Sequence, residues 1–202
     1  MSGNPSRQDV TFDSHGTKCV AWYYPSPASS SQSQGQRVPA IVLGHGLGAV
    51  KEMGLDRYSE VFQSLGYATL AFDYRHFGGS EGLPRQLLDP WKQRQDWHAA
   101  LAYIRSRPEI DADRIGIFGS SFGGGHVLEV AKADPQVKAV ISQCPFTHGF
   151  ASALCCGVLP LPSLLFRSIA DMVAGTWDGN DKGIYKVPVA GKPGSGKWMT
   201  GR

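Results

Sequence analysis

Cysteine is scarce in this sequence: four in 202 residues, at 19, 144, 155 and 156. No Cys-x-x-Cys pair occurs and two of the four are adjacent, so neither a zinc framework nor a disulfide scaffold is on offer. The opening MSGNPSRQDV has no apolar h-region and reads as no secretory signal. No stretch approaches the roughly 18 apolar residues of a membrane span. An excess of one charge is missing too: 20 Lys and Arg against 17 Asp and Glu give +3, and the basic residues are scattered rather than striped. That excludes an electrostatic footprint for nucleic acid. No internal repeat is seen. These absences leave a cytoplasmic protein by default, with reduced and mostly buried thiols and no membrane or nucleic-acid partner.

What is present is the composition of one globular domain, 42% hydrophobic and 18% charged, long enough to bury a core. Residues 8–13 and 17–24 are β-prone runs broken by Ser14-His15-Gly16, a hairpin signal. Residues 25–38 are rich in Ser, Gln and Pro and read as a surface loop. The pattern then changes to buried strands alternating with helices. The strands are Ala40–Leu43, Ala68–Tyr74, Arg114–Gly119 and Val137–Gln143. The helices cover 52–65, closed by Gly66, then Asp89 to about Arg107, then Phe122–Ala133. In the first of them Met53, Leu55, Tyr58, Val61, Phe62 and Leu65 have helical spacing. Such alternation after an opening hairpin predicts an α/β domain with a doubly wound, mostly parallel sheet.

Two glycine-rich loops carry the chemistry. Gly119-Ser120-Ser121-Phe122-Gly123 matches G-x-S-x-G between a strand and a helix. There the glycines relieve Cβ clashes while the serine takes a strained conformation that lifts Oγ above the sheet. The Phe122 N–H, at the helix N-terminus, is then aimed at a developing oxyanion. The bland alternative is a structural strand–helix turn. Gly44-His45-Gly46-Leu47-Gly48 follows the first buried strand and places the Leu47 N–H as the second oxyanion donor. His45 in such a loop is expected to brace it rather than to move protons.

These residues, with FDYRHFGGSEG at 72–82 and DRIGIFGSSFGGG at 113–125, resemble an α/β-hydrolase of the dienelactone-hydrolase-like type, and within it the fungal polyketide transferase and thiohydrolase group. The resemblance covers roughly residues 8–190. It implies a single α/β-hydrolase domain over 1–202 with a lid-like insertion at 150–183. It also implies a small acyl substrate, a carrier-bound polyketide among the candidates, with neither cofactor nor metal. The Asp73-Tyr74-Arg75 turn is architectural in such proteins. Asp96, on a helix, is expected to make a surface or loop contact.

The remainder of the triad is missing from the pattern. The order in this fold is Ser, then Asp or Glu, then His. After Ser121 the histidines are His126, expected to point away from Oγ, and His148, after the fourth strand, a weak candidate base. Neither is followed by an orienting carboxylate at the usual place, although Glu129, Asp134, Asp171, Asp178 and Asp181 are available. Residues 184–190 offer one weak strand where the family continues through two. The last strands are therefore expected to be missing or altered, as in a truncated chain. Gly191–Lys197 imitates a P-loop, but Trp198 stands where Ser or Thr should hold magnesium. Two readings stay open: a serine hydrolase or acyltransferase acting on a thioester or ester, and an inactive remnant or binding module that keeps the pocket.

Overall fold

The computed structural model describes residues 7–27 and 37–149, with isolated positions between 151 and 200. The chain divides into two compact units, Met1–Gly82 with Leu88–Pro145, and Leu83–Leu87 with Phe146–Arg202.

In the first unit β1 (Gln8–Ser14) and β2 (Thr17–Tyr24) form the expected hairpin. Its two turn residues, His15 and Gly16, both have positive φ, 51° and 77°, as a two-residue type I′ turn requires. Then follow β3 (Val38–Gly44), α1 (Leu55–Ser64), β4 (Ala68–Phe72), α2 (Pro90–Ser106), β5 (Ile110–Ser120), α3 (Phe122–Ala133) and β6 (Val137–Gln143). The sheet order is β1-β2-β4-β3-β5-β6. Strand β2 is antiparallel to β1 and β4, and pairing from β4 through β3 and β5 to β6 is parallel. In the second unit β7 (Ala190–Gly191) pairs in parallel with β8 (Met199–Thr200). The lid expected at 150–183, most of the weak strand at 184–190, the P-loop-like residues after Gly191, and Cys155 and Cys156 lie almost wholly outside the described residues.

Strand alternation divides the core between the two faces of the sheet. Ile41 and Leu43 pack with Leu55 of α1, Ala71 and Phe118. Ala40 and Val42 point the other way, into a larger cluster with Leu70, Phe72, Ile117, Trp97, Leu101, Ile104, Val127 and Val130. Trp97, fully buried, meets Phe72 edge to face at 5.1 Å. Burying one such side chain contributes roughly 1.5–3 kcal/mol.

Three expectations change. The helix over 52–65 begins only at Leu55, after Gly54 at φ 110°, and only half of its apolar spacing faces inward, where Leu55, Tyr58 and Phe62 pack toward Phe118. Leu55, Ser59 and Gln63 are buried, while Met53, Val61 and Leu65 are 73%, 58% and 67% exposed. Gln63 can face inward because its Nε2 donates to the Pro25 carbonyl at 2.7 Å. Asp96 makes the loop contact expected of it but not at the surface: it is fully buried and accepts from Ser14 Oγ at 2.6 Å, Arg75 N at 3.0 Å and Arg75 Nε at 2.6 Å. Of the described thiols Cys19 is buried, but Cys144 is exposed.

Candidate active site

The two glycine-rich loops lie at the ends of neighbouring strands. Gly44 of β3 pairs with Gly119 of β5. This is where the strand order reverses, β4 lying on one side of β3 and β5 on the other. In open α/β sheets ligands bind in the crevice at that point.

Ser121 sits between β5 and α3 with φ 55° and ψ −113°, a conformation that costs a residue with a side chain on the order of 1–3 kcal/mol. The surroundings impose it. Ser121 N donates to the Gln143 carbonyl at the end of β6 (2.8 Å), and Gly125 N donates to the Ser121 carbonyl (3.1 Å). A Cβ on Gly123 would lie 2.5 Å from the His45 carbonyl oxygen, and one on Gly124 2.9 Å from that of Gln143. The glycines of the motif are there so that α3 can press against two strand ends.

The facing loop is held as closely. Ala49 N donates to the Gly46 carbonyl at 3.3 Å, so Leu47 and Gly48 are the central residues of a turn. Gly48 has φ 64°, as the third position of a type II turn demands. A Cβ on Gly46 would come within 3.0 Å of Ser121 Cβ and 3.1 Å of the Ser120 carbonyl oxygen, so this loop passes directly over the elbow. Behind it the indole N–H of Trp97 donates to Tyr74 Oη at 3.0 Å, and Tyr74 Oη donates to the His45 carbonyl at 3.3 Å.

His45 is buried, its ring 4.6 Å from that of Tyr74 in an edge contact. Its Nδ1 donates to the Gly46 carbonyl at 3.0 Å, which leaves Nε2 without a hydrogen-bond partner and 3.8 Å from Asp73 Oδ1. Burial holds this imidazole below the usual histidine range. The ring is spent on the loop, as expected of it.

The two histidines that follow Ser121 have contacts of their own. His126 is buried in α3 with Nε2 against Gln93 Oε1 at 2.8 Å and its ring against Phe122. Burial, helped by the nearby positive charge of Arg94, pushes it down to about 4. His148 belongs to the second unit, is exposed, and accepts the Ala151 N–H at Nδ1 (3.1 Å). Among the described residues no side chain hydrogen-bonds to Ser121 Oγ, and no group of three or more His, Cys, Asp or Glu is gathered to hold a metal ion.

One participant escaped the sequence reading. Lys51 is buried, with its main-chain N and its Nζ both donating to Asp73, at 2.8 and 2.7 Å. Asp73 follows the buried strand β4 and stood out as architectural. Nothing in the spacing of Lys51 marks it as that carboxylate's partner.

A family model described as X-Pro dipeptidyl-peptidase (S15 family) matches residues 19–186. The chain belongs to this family. Of its relatives, the quorum-quenching protein AidA of Acinetobacter baumannii is 47% identical over 165 residues, 82% of this chain and 52% of that protein. Thiohydrolase aneE of Aspergillus aculeatus is 44% identical over 107 residues, 53% of this chain and 34% of the relative. Two further Aspergillus relatives, 36% and 34% identical, are named an acyltransferase and a polyketide transferase. In structure the chain is similar to the α/β hydrolase GrgF from Penicillium sp. sh18, with a TM-score of 0.73 at 26% identity, covering 94% of this chain and 60% of that one. The S15 chain therefore has the α/β-hydrolase fold, and it spans about a third to a half of the length of the curated relatives it matches. Among its described residues no helix is long and apolar enough to cross a membrane.

Proposed function

We propose that this chain is a serine-nucleophile hydrolase or acyltransferase that acts on a small acyl thioester or ester, with Ser121 as the attacking group. The observation that carries this reading is the strained Ser121, φ 55°, with Gly46 of the facing loop against it. A turn that only joined a strand to a helix would not need a serine in that conformation, nor a second glycine loop over it. Oγ adds to the acyl carbonyl and gives its proton to a base. The main-chain N–H groups of Phe122 and Leu47 receive the negative charge on the carbonyl oxygen. The adduct then expels a thiol or alcohol, which takes the proton, and water or a second acceptor removes the acyl group from Oγ. His148 is the candidate base. A polyketide chain is the acyl group favoured by the name of one fungal relative, a polyketide transferase. The names of the fungal relatives point to acyl esters and thioesters rather than to the peptides of the S15 description.

The test is covalent labelling with a fluorophosphonate. Stoichiometric modification is expected at Ser121 and should vanish in Ser121→Ala. In His148→Ala labelling should slow by at least about 100-fold, the scale of general-base assistance; an unchanged rate removes His148 from the mechanism.

One observation favours a second reading, an inactive relative that keeps the pocket: among the described residues no side chain hydrogen-bonds to Ser121 Oγ. An oxyanion hole and binding alone leave roughly 10³–10⁴ over the rate in water. Well-folded protein that does not label would establish this reading.

A further inference from the structure

We infer that Lys51 and Asp73 are positioning residues for the oxyanion-side loop, a buried ion pair whose task is to hold Gly46–Ala49 over the Ser121 elbow. The inference rests on the serine acyl-transfer reading above.

The loop between β3 and α1 is fixed at three points. Gly44 is in the sheet ladder with Gly119. Gly46 lies against Ser121. Lys51, just past the turn that contains Leu47, is tied by both its main chain and its side chain to Asp73. Asp73 is the hub of this third point: Oδ1 accepts Lys51 N, and Oδ2 accepts Lys51 Nζ at 2.7 Å and Gly79 N at 3.1 Å. The carboxylate thus joins the loop after β3 to the turn after β4. Gly78, at φ 51°, curves that turn so closely around it that a Cβ there would overlap the carboxylate. Lys51 Nζ also bonds Glu52 Oε1 at 2.6 Å and lies 4.9 Å from the centre of the Trp22 ring.

Stability alone does not account for this arrangement. Lys51 is 4% exposed and Asp73 not at all, and a charge pair so buried is commonly no more stable than apolar residues of the same shape. What a pair with two directed bonds between them does supply is register, because the loop cannot slide along the end of β4 without breaking them. His45 adds to the demand. With Nδ1–H given to Gly46, its Nε2 faces the same carboxylate without a hydrogen bond. Asp73 is therefore placed for the loop's backbone and for Lys51, not for the imidazole. A shift of the loop by half an ångström or so would move the Leu47 N–H off the position that an acyl oxygen takes, and such donors act only when aimed at it.

The experiment compares Lys51→Met and Asp73→Asn with the double variant, which buries no charge and so keeps the question open if either single variant fails to fold. Lys18→Met is the control, since the exposed Lys18–Glu81 pair (3.1 Å) braces the same 73–82 turn without reaching the loop. Amide hydrogen exchange is measured over residues 45–50, alongside the rate of fluorophosphonate labelling and the kcat and KM for an acyl thioester. Expected are at least 10-fold faster exchange confined to the loop, and a 10- to 100-fold fall in labelling and kcat with KM unchanged. That stays below the loss from deleting an oxyanion donor outright, about 10²–10³. Lys18→Met should show neither effect. Folded variants with unchanged loop exchange, or a control that loosens the loop as much, would overturn the inference. If wild-type protein fails to label at Ser121, it is the enzyme reading that falls. The exchange measurement still decides whether this pair holds the loop.

Discussion

His126 shows how much of the unit's stability depends on one residue's surroundings. Its ring is buried in α3 against Gln93 and Phe122, and it titrates at about 4 rather than 6.5. The folded state thus binds its proton less readily than the unfolded chain. Between pH 6.5 and 4 the unfolded state carries the extra proton, so stability present at neutral pH is lost as the pH falls through that window. From pH 7 to 5 the loss from this one group is about 2 kcal/mol. His45, also held below its usual range by burial, acts in the same direction. Urea midpoints at the two pH values should therefore differ clearly in the wild type and by much less in His126→Gln. An equal pH dependence in both would place the acid-sensitive group elsewhere.

Among the elements, α2 owes its start to a local signal. Asp89 Oδ1 accepts from Trp91 N at 2.9 Å and Lys92 N at 3.1 Å, with Pro90 in the first turn. Asp89→Ala should cost about 1 kcal/mol in chemical unfolding while leaving the rate of Ser121 labelling unchanged, since buried Trp97, through which α2 backs the Gly44–Gly48 loop, lies well along the helix. Signals of this kind are why so much of the fold was legible. The Asp89-Pro90 start is written in consecutive residues, as is the end of α1, where Gly66 and Tyr67 N–H groups bond back to Gln63 and Phe62. So are the strands on either side of the elbow and the two glycine loops, whose chemistry needs fixed neighbours in sequence. The burial of Gln63 on the inner face of α1 was not legible, because apolar spacing cannot foresee that the Pro25 carbonyl will satisfy it. Lys51–Asp73 and Arg75–Asp96 were hidden for a related reason. Each joins charges from separate segments, and a charge in the sequence carries no mark of whether a partner awaits it in the interior. Asp96 looks like any helix-surface aspartate until Ser14 of β1 and Arg75 are folded onto it.

At the scale of the whole chain, the family and the fold follow from the match over residues 19–186 and the likeness to solved α/β hydrolases. Within the first unit, β6 is the outer strand among the described residues, and its Val140 and Ile141 are 38% and 41% exposed. Beside it an apolar groove of about 430 Å³ runs between α1 and the sheet, lined by Ile41, Phe62, Leu65, Tyr67 and Ile141. Among the described residues this face is less covered than the opposite one, where α2 and α3 pack over Ile117.

The rung between Gly44 and Gly119 also governs how the protein comes into being. The two loops that meet at Ser121 belong to strands with α1, β4 and α2 between them in the chain, so no local segment can rehearse the site. It exists only once β3 and β5 have found each other, a long-range closure of the kind that makes folding slow. Competence to react should therefore return late and all at once. After a jump out of denaturant, Ser121 labelling should recover with the time course of Trp97 burial followed by fluorescence. Labelling that recovers ahead of it would mean that the elbow can be built without the sheet.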